Sequence, residues 1–268
     1  MPDVRNASSF VGSIPELYDR HLGPVFFDPS AADLSARADP SAAPVLDLAS
    51  GTGRLTAPLL DRLSGGMLVA LDLNGAMQHV ARARLRSPRV RYVRGDAMRL
   101  PFGDAVFSQV ACQHGIMFFP DKTQAASEVR RVLKPGGSFL LNVWTGLDEN
   151  PLGEIADRVV ARFFPSDPPR FYHVPFGYGD PARIRADLQG GGFRSVQIEA
   201  VDLRGPCASA AHIAVGLVKG SPIAVSIQDR ATVSSDTIVD AVAQELERRF
   251  GTGAFDVPMK ILSISASA

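Results

Sequence analysis

The chain has 268 residues, 46% of them hydrophobic, enough for one large α/β domain with additions or for two small ones. Lysine plus arginine equals aspartate plus glutamate at 28 each, so no net charge draws it toward nucleic acid or an anionic membrane. Neither Cys112 nor Cys207 stands in a metal-ligand or disulfide-framework spacing, so no metal and a reducing, cytoplasmic setting are expected.

The opening MPDVRNASSFVGSIPELYDR lacks the basic start and apolar core of a secretory leader. No later stretch reaches about 18 uninterrupted apolar residues, so neither processing nor a membrane span is expected. The first apolar run, VLDLA at 45, breaks into the small-residue turn SGTG, after which Leu55, Leu59 and Leu63 recur at helical spacing. Further short runs follow: MLVALDL at 67, VRYVRGD at 90, VFSQVACQ at 106 and SFLLNVW at 138. Between the last two, Ala125, Val129, Val132 and Leu133 mark one helical face, which Pro135 and the Gly136-Gly137 pair should stop. This alternation predicts a parallel sheet covered on both faces.

Beyond Trp144 the chain is broken by ENPLGE, FFPSDPPRFYHVPFGYGDP and GGG. FRSVQIEAVDL at 193 and the terminal VPMKILSISASA read as strands, with a mostly helical insertion between them. In it Val239, Val242, Leu246 and Phe250 share a face, and Gly251 ends the helix.

A strand that ends in a glycine turn and opens a helix aims free backbone N–H groups past the carboxyl edge of the sheet. Gly51 and Gly53 permit positive φ and close approach of a ligand. A dinucleotide turn needs a third glycine, where this chain has Thr56. Asp72, closing the second strand, suits a ribose diol, since a carboxylate accepts from both hydroxyls. Asp47, inside the first strand, would repel a pyrophosphate. It either holds a cationic amino group or caps the turn by accepting backbone N–H bonds. Asp96, after the third strand, is placed to accept from an exocyclic amine or to serve as a turn residue.

DLASGTG, LDLN, GDAMRLPFGDAVF and EVRRVLKPGG occur in the order and spacing of the Rossmann-like S-adenosylmethionine-dependent methyltransferases. Over about residues 40 to 145 the chain most resembles the group containing the quinone-biosynthesis C-methyltransferases. The resemblance implies an α/β, doubly wound, seven-stranded, mostly parallel sheet with helical lid additions. It implies a lid segment over 1–40, a cofactor-binding core over 41–146 and the rest of the sheet with insertions over 147–268, one domain overall. It assigns the methionine portion of S-adenosylmethionine to Asp47, Gly51 and Gly53, and the ribose to Asp72. Leu73 lies beside the adenine, Asp96 and Ala97 read it, and Cys112 and Gln113 face the methionine moiety. The lid segment PELYDRHLGPVFFDP would bring Tyr18 and His21 to the site. Three positions depart from the family pattern: Ala49 for a glycine, Ser108 for an aspartate, and Pro58, expected to bend the helix after the turn.

The sulfonium of S-adenosylmethionine carries its own activation, so the protein need only align and desolvate. Should the acceptor need deprotonation, His114, just past the fourth strand, is the first candidate base, with a structural residue or a wall of the cofactor pocket as its alternative roles, and His173 is the second candidate. Phe163, Phe164, Phe171, Tyr172, Phe176 and Tyr178 either line an apolar acceptor pocket or pack an irregular segment. The expected partner is a small-molecule methyl acceptor, with no nucleic acid and no membrane, and the expected state is monomer or homodimer. The alternatives are an NAD(P)-dependent oxidoreductase and a non-catalytic S-adenosylmethionine-binding module.

Overall fold

The computed structural model describes residues 9–267, so the reading of the first eight residues lies outside it. In chain order the elements begin with α1 (Ile14–Leu17), a π-helix (Tyr18–Phe27), α2 (Asp28–Ala36), β1 (Val45–Leu48), α3 (Thr56–Arg62) and β2 (Leu68–Asp72). Next come α4 (Gly75–Arg84), β3 (Val90–Arg94), β4 (Phe107–Gln113), α5 (Lys122–Val132), β5 (Leu133–Trp144) and α6 (Pro151–Phe163). The last are α7 (Pro181–Gly190), β6 (Ser195–Cys207), α8 (Ala210–Lys219), α9 (Ile223–Arg230), α10 (Ser235–Phe250) and β7 (Phe255–Ser267).

The strands form one seven-stranded sheet in the order β3-β2-β1-β4-β5-β7-β6. The pairs β1–β2, β2–β3, β1–β4 and β4–β5 are parallel, and β5–β7 is antiparallel. The expected seven-stranded, mostly parallel sheet is therefore the observed one. The chain steps outward from β1 to β3 and then returns to β4 on the other side of β1. Strand order thus reverses between β1 and β4, the place where open α/β sheets bind ligands beyond their strand ends. All four residues of β1 are buried, as its central position requires.

By packing, the chain forms two compact units, each built from separate stretches. Among the described residues, unit 2 comprises 30–144, 178–201 and 261–267, and unit 1 comprises 9–29, 145–177 and 202–260. The core of unit 2 gathers Leu34 from α2, Val45 from β1 and Leu68 from β2 around Leu55, Leu59 and Leu63, whose four-residue spacing the sequence displays. Pro58, expected to bend α3, leaves the start of that helix hydrogen-bonded. It lies in the first turn, where the backbone N–H has no intrahelical partner in any case, and the bond from Leu59 N–H to the Leu55 carbonyl is intact at 3.0 Å. Helix α5 ends at Val132, and β5 starts at once with Leu133, so Lys134–Gly137 belong to the strand.

In unit 1 the π-helix lies against α8. A Cβ at Gly216 would come within 2.6 Å of Leu22 Cδ2 and 2.7 Å of His21 Cβ, so only glycine permits that approach. The aromatic segment packs rather than lining an open pocket. Phe164, Tyr172 and Tyr178 are buried, Tyr172 donates to the Leu217 carbonyl at 2.8 Å, and Phe176 fills the space over Gly153. Tyr178 belongs to unit 2, where it donates to Asp187 at 2.8 Å. Among the described residues no single helix is long and apolar enough to cross a membrane, although α8 and α9 pass together as a pair bent by 72°.

Gly216→Ala should destabilise the protein by about 1–3 kcal/mol through overpacking of the π-helix against α8, measured as a lower urea midpoint. An unchanged midpoint would show that the contact yields freely.

Candidate active site

The carboxyl ends of β1, β2, β3 and β4 carry most of the residues singled out above, all within unit 2. After β1 the backbone enters positive φ three times, at Ala49 (56°), Gly51 (53°) and Gly53 (78°). Ala49 pays for lacking the family's glycine with a left-handed conformation that most side chains avoid. Its methyl group is accommodated by Gly115, where a Cβ would come within 2.7 Å of Ala49 Cβ and 2.8 Å of Cys112 Sγ.

Asp72 caps the glycine turn. Its Oδ2 accepts from Gly51 N–H at 2.7 Å and its Oδ1 from Asn74 N–H at 2.7 Å, while Asn74 Oδ1 caps α4 by accepting from Ala76 and Met77. Burial raises the Asp72 pKa, and the Asn74 and Gly51 amides oppose the rise. The residue as a whole is half-buried, and both of its carboxylate oxygens accept from backbone amides at the turn. Leu73, next to Asp72, is 57% exposed.

Asp47 makes neither backbone bond expected of a turn cap. It is buried in β1, and its Oδ2 accepts from the Thr56 hydroxyl at 2.6 Å. Its Oδ1 has no partner among the described residues, nor do the buried Ser50 and Thr52 hydroxyls of the same turn. Burial pushes the Asp47 carboxyl up to about 7, helped by nearby Asp72 and opposed by Thr56. Orphaned acceptors and hydroxyls around a strained turn at the sheet's switch point fit a polar ligand with a cationic group and hydrogen-bonding ends.

Asp96 is exposed in a tight turn, where Oδ1 accepts from Met98 N–H at 2.9 Å, and Ala97 beside it is buried. At the end of β4, Cys112 is fully buried, and burial raises its thiol to about 12, with the Gly115 and Ile116 amides against the sulfur. Any ligand contact at Cys112 would therefore come from its backbone, while Gln113 is half-buried.

His114 is held differently from the expected base. Its ring stacks on Trp144 at 4.0 Å and 4°, and its backbone N–H donates to Asn142 Oδ1 at 3.1 Å. Burial lowers its pKa to about 3, so the imidazole is neutral at physiological pH and a weak proton acceptor.

Tyr18, His21 and His173 belong to unit 1. Tyr18 stacks on Phe27 at 4.7 Å, His21 lies 4.3 Å from the His212 ring, and His173 Nε2 lies 3.3 Å from Asp157 Oδ2. Unit 1 also holds a cavity of about 840 Å³ edged by Ile14, Leu17, Lys219, Val225 and Val233.

Residues 46–141 match the sequence family described as "Methyltransferase domain". The matched segment holds most of β1, all of β2, β3 and β4, and most of β5. The ubiquinone/menaquinone biosynthesis C-methyltransferase UbiE of Idiomarina loihiensis is 43% identical over 102 residues, covering 36% of this chain and 41% of that protein. The demethylmenaquinone methyltransferase of Thermus thermophilus is 38% identical over 113 residues, 41% of this chain and 50% of its own length. The matches thus span half or less of these curated relatives. Among solved structures, YcgJ of Bacillus subtilis aligns with a TM-score of 0.55 at 22% identity, over 88% of this chain and 97% of that one. A phosphoethanolamine N-methyltransferase 2 of Haemonchus contortus, solved with phosphomonomethylethanolamine and S-adenosylhomocysteine, aligns with a TM-score of 0.61 at 17% identity, over 99% of this chain and 59% of that one. These two likenesses concern the fold.

Reading the motifs missed three residues. Thr56 carries no charge and entered only as an absent glycine, Asn74 is visible as a helix cap after LDL, and Gly115 becomes legible only once Ala49 is known to sit at positive φ.

Asp47 is the raised-pKa case, so its contribution to stability is fully present below the unfolded value near 3.8 and is lost as pH rises through about 7. Asp47→Asn should remove that loss. Thermal melts at pH 5 and pH 8 should show a smaller drop in Tm for the variant than for the wild type, corresponding to on the order of 1–3 kcal/mol at pH 8. Equal drops in the two proteins would mean Asp47 does not titrate in this range.

Proposed function

We propose that the chain is a methyltransferase that moves the methyl group of S-adenosylmethionine to an O, N or C nucleophile of a small organic molecule. The observation that carries this reading is Asp47, a buried carboxylate with one free oxygen at the β1–β4 switch point, where a cationic amino group would complete it. Gly51 and Gly53 bring bare backbone to the methionine portion, and Asp72, at the end of β2 beside the turn, is placed for the ribose. Exposed Leu73 covers one side of the adenine, and Asp96 and Ala97 bound its edge. Gln113 and the Cys112 backbone flank the reacting end. When bound, S-adenosylmethionine supplies a sulfonium whose in-line displacement leaves a neutral thioether.

The chain's own share of the work is alignment. Holding donor and acceptor at attack distance is worth roughly 7–11 kcal/mol, against about 10²–10⁴-fold for a positioned base. A neutral, buried His114 is consistent with that order, and on this reading it forms part of the wall, with acceptors whose nucleophile needs no strong base. The two free and buried cysteines support a cytoplasmic enzyme.

Isothermal titration with S-adenosylhomocysteine should show 1:1 binding, and absence of binding to it and to S-adenosylmethionine would rule the reading out. Asp72→Ala should weaken that binding by about 1.5–3 kcal/mol, on the order of 10- to 100-fold, the worth of hydrogen bonds to a charged group. An unchanged affinity would place the ribose elsewhere.

A further inference from the structure

Thr56 is the first residue of α3 and is fully buried. Its Oγ1 lies 2.6 Å from Asp47 Oδ2, and it sits under the glycine turn, since a Cβ at Gly53 would come 3.5 Å from the same hydroxyl. Among the described residues Asp47 has no other hydrogen-bond partner, and its Oδ1 is buried and unpaired. The ionisable groups that face it are Asp72 on β2, Tyr92 on β3 and the Cys112 thiol on β4, and none of them is a cation.

A carboxylate can turn about its Cβ–Cγ bond and present either oxygen, or a mixture, to a ligand. One short bond from a β-branched side chain on a packed helix removes that freedom. We propose that Thr56 is a positioning residue: by engaging Oδ2 it fixes Asp47 so that Oδ1 alone is offered to the amino group of the bound cofactor.

The proposal rests on the methyltransferase reading and makes a separate prediction within it. With no cation among the described groups that face Asp47, cofactor affinity falls as pH drops through the Asp47 titration, because the protonated carboxyl no longer attracts the ammonium. A hydroxyl donating to the ionised form sets where that fall occurs. Replacing it by a methyl group of similar size moves the fall to higher pH, and a serine leaves it in place.

The test is titration of S-adenosylhomocysteine and of adenosine, which lacks the amino-acid portion, into wild type, Thr56→Val, Thr56→Ser and Asp47→Asn between pH 5.5 and 8.5. Thr56→Val should bind S-adenosylhomocysteine about 10-fold or more weakly at pH 7.5, with its pH midpoint displaced upward by about one unit. Thr56→Ser should stay within about twofold of wild type. Adenosine affinity should be independent of pH and equal in all four proteins, which also reports that the variants are folded. An equal loss for adenosine and S-adenosylhomocysteine in Thr56→Val would make Thr56 merely structural and overturn the proposal, as would a wild-type midpoint in that variant. Asp47→Asn matching wild type at every pH would overturn the role of Asp47 itself. Failure of wild type to bind either compound would overturn the parent reading.

Discussion

The bond from the Gly51 amide to the Asp72 carboxylate, 2.7 Å long, is the constraint on which the site depends. It ties the turn after β1 to the end of β2, two elements 21 residues apart in the chain. Without it the left-handed turn would have to be maintained by glycine conformation alone, and Gly loses more entropy on ordering than any other residue. The second Asp72 oxygen holds Asn74, which in turn starts α4. One half-buried side chain thus sets the turn, the strand end and the next helix.

The same carboxylate pair creates an electrostatic tension. Asp47 and Asp72 are near enough for Asp72 to raise the Asp47 pKa, and both are already raised by burial. Asp72 is compensated by two backbone amides, Asp47 by a single hydroxyl. A buried charge left half-compensated costs stability unless a partner of opposite sign arrives. Such costs are characteristic of binding sites, because the ligand's contribution is largest where the empty protein is least satisfied.

Much of this is legible in the amino-acid sequence. The strand runs, the helical spacing of Leu55, Leu59 and Leu63, and the acids at 47, 72 and 96 follow from period and position, since strand ends converge in any open parallel sheet. What escaped the sequence depends on relations between residues that no local pattern carries. Pro58 reads as a helix breaker until the helix start is fixed at Thr56, two residues earlier. His114 reads as a base by location, yet its function depends on whether its ring meets solvent or Trp144. The aromatic run from Phe163 to Tyr178 reads as one feature, but Tyr178 packs in a different unit from Phe164 and Tyr172.

The stack at the end of β4 gives the molecule an intrinsic optical gauge. Trp144 is the only tryptophan in the chain, and its indole lies flat on the His114 imidazole at 4.0 Å. All indole emission therefore originates one ring away from the residue that follows β4. Changes in the position or charge of that imidazole register directly in the glow of a single fluorophore, with no label attached and no other tryptophan to dilute the signal.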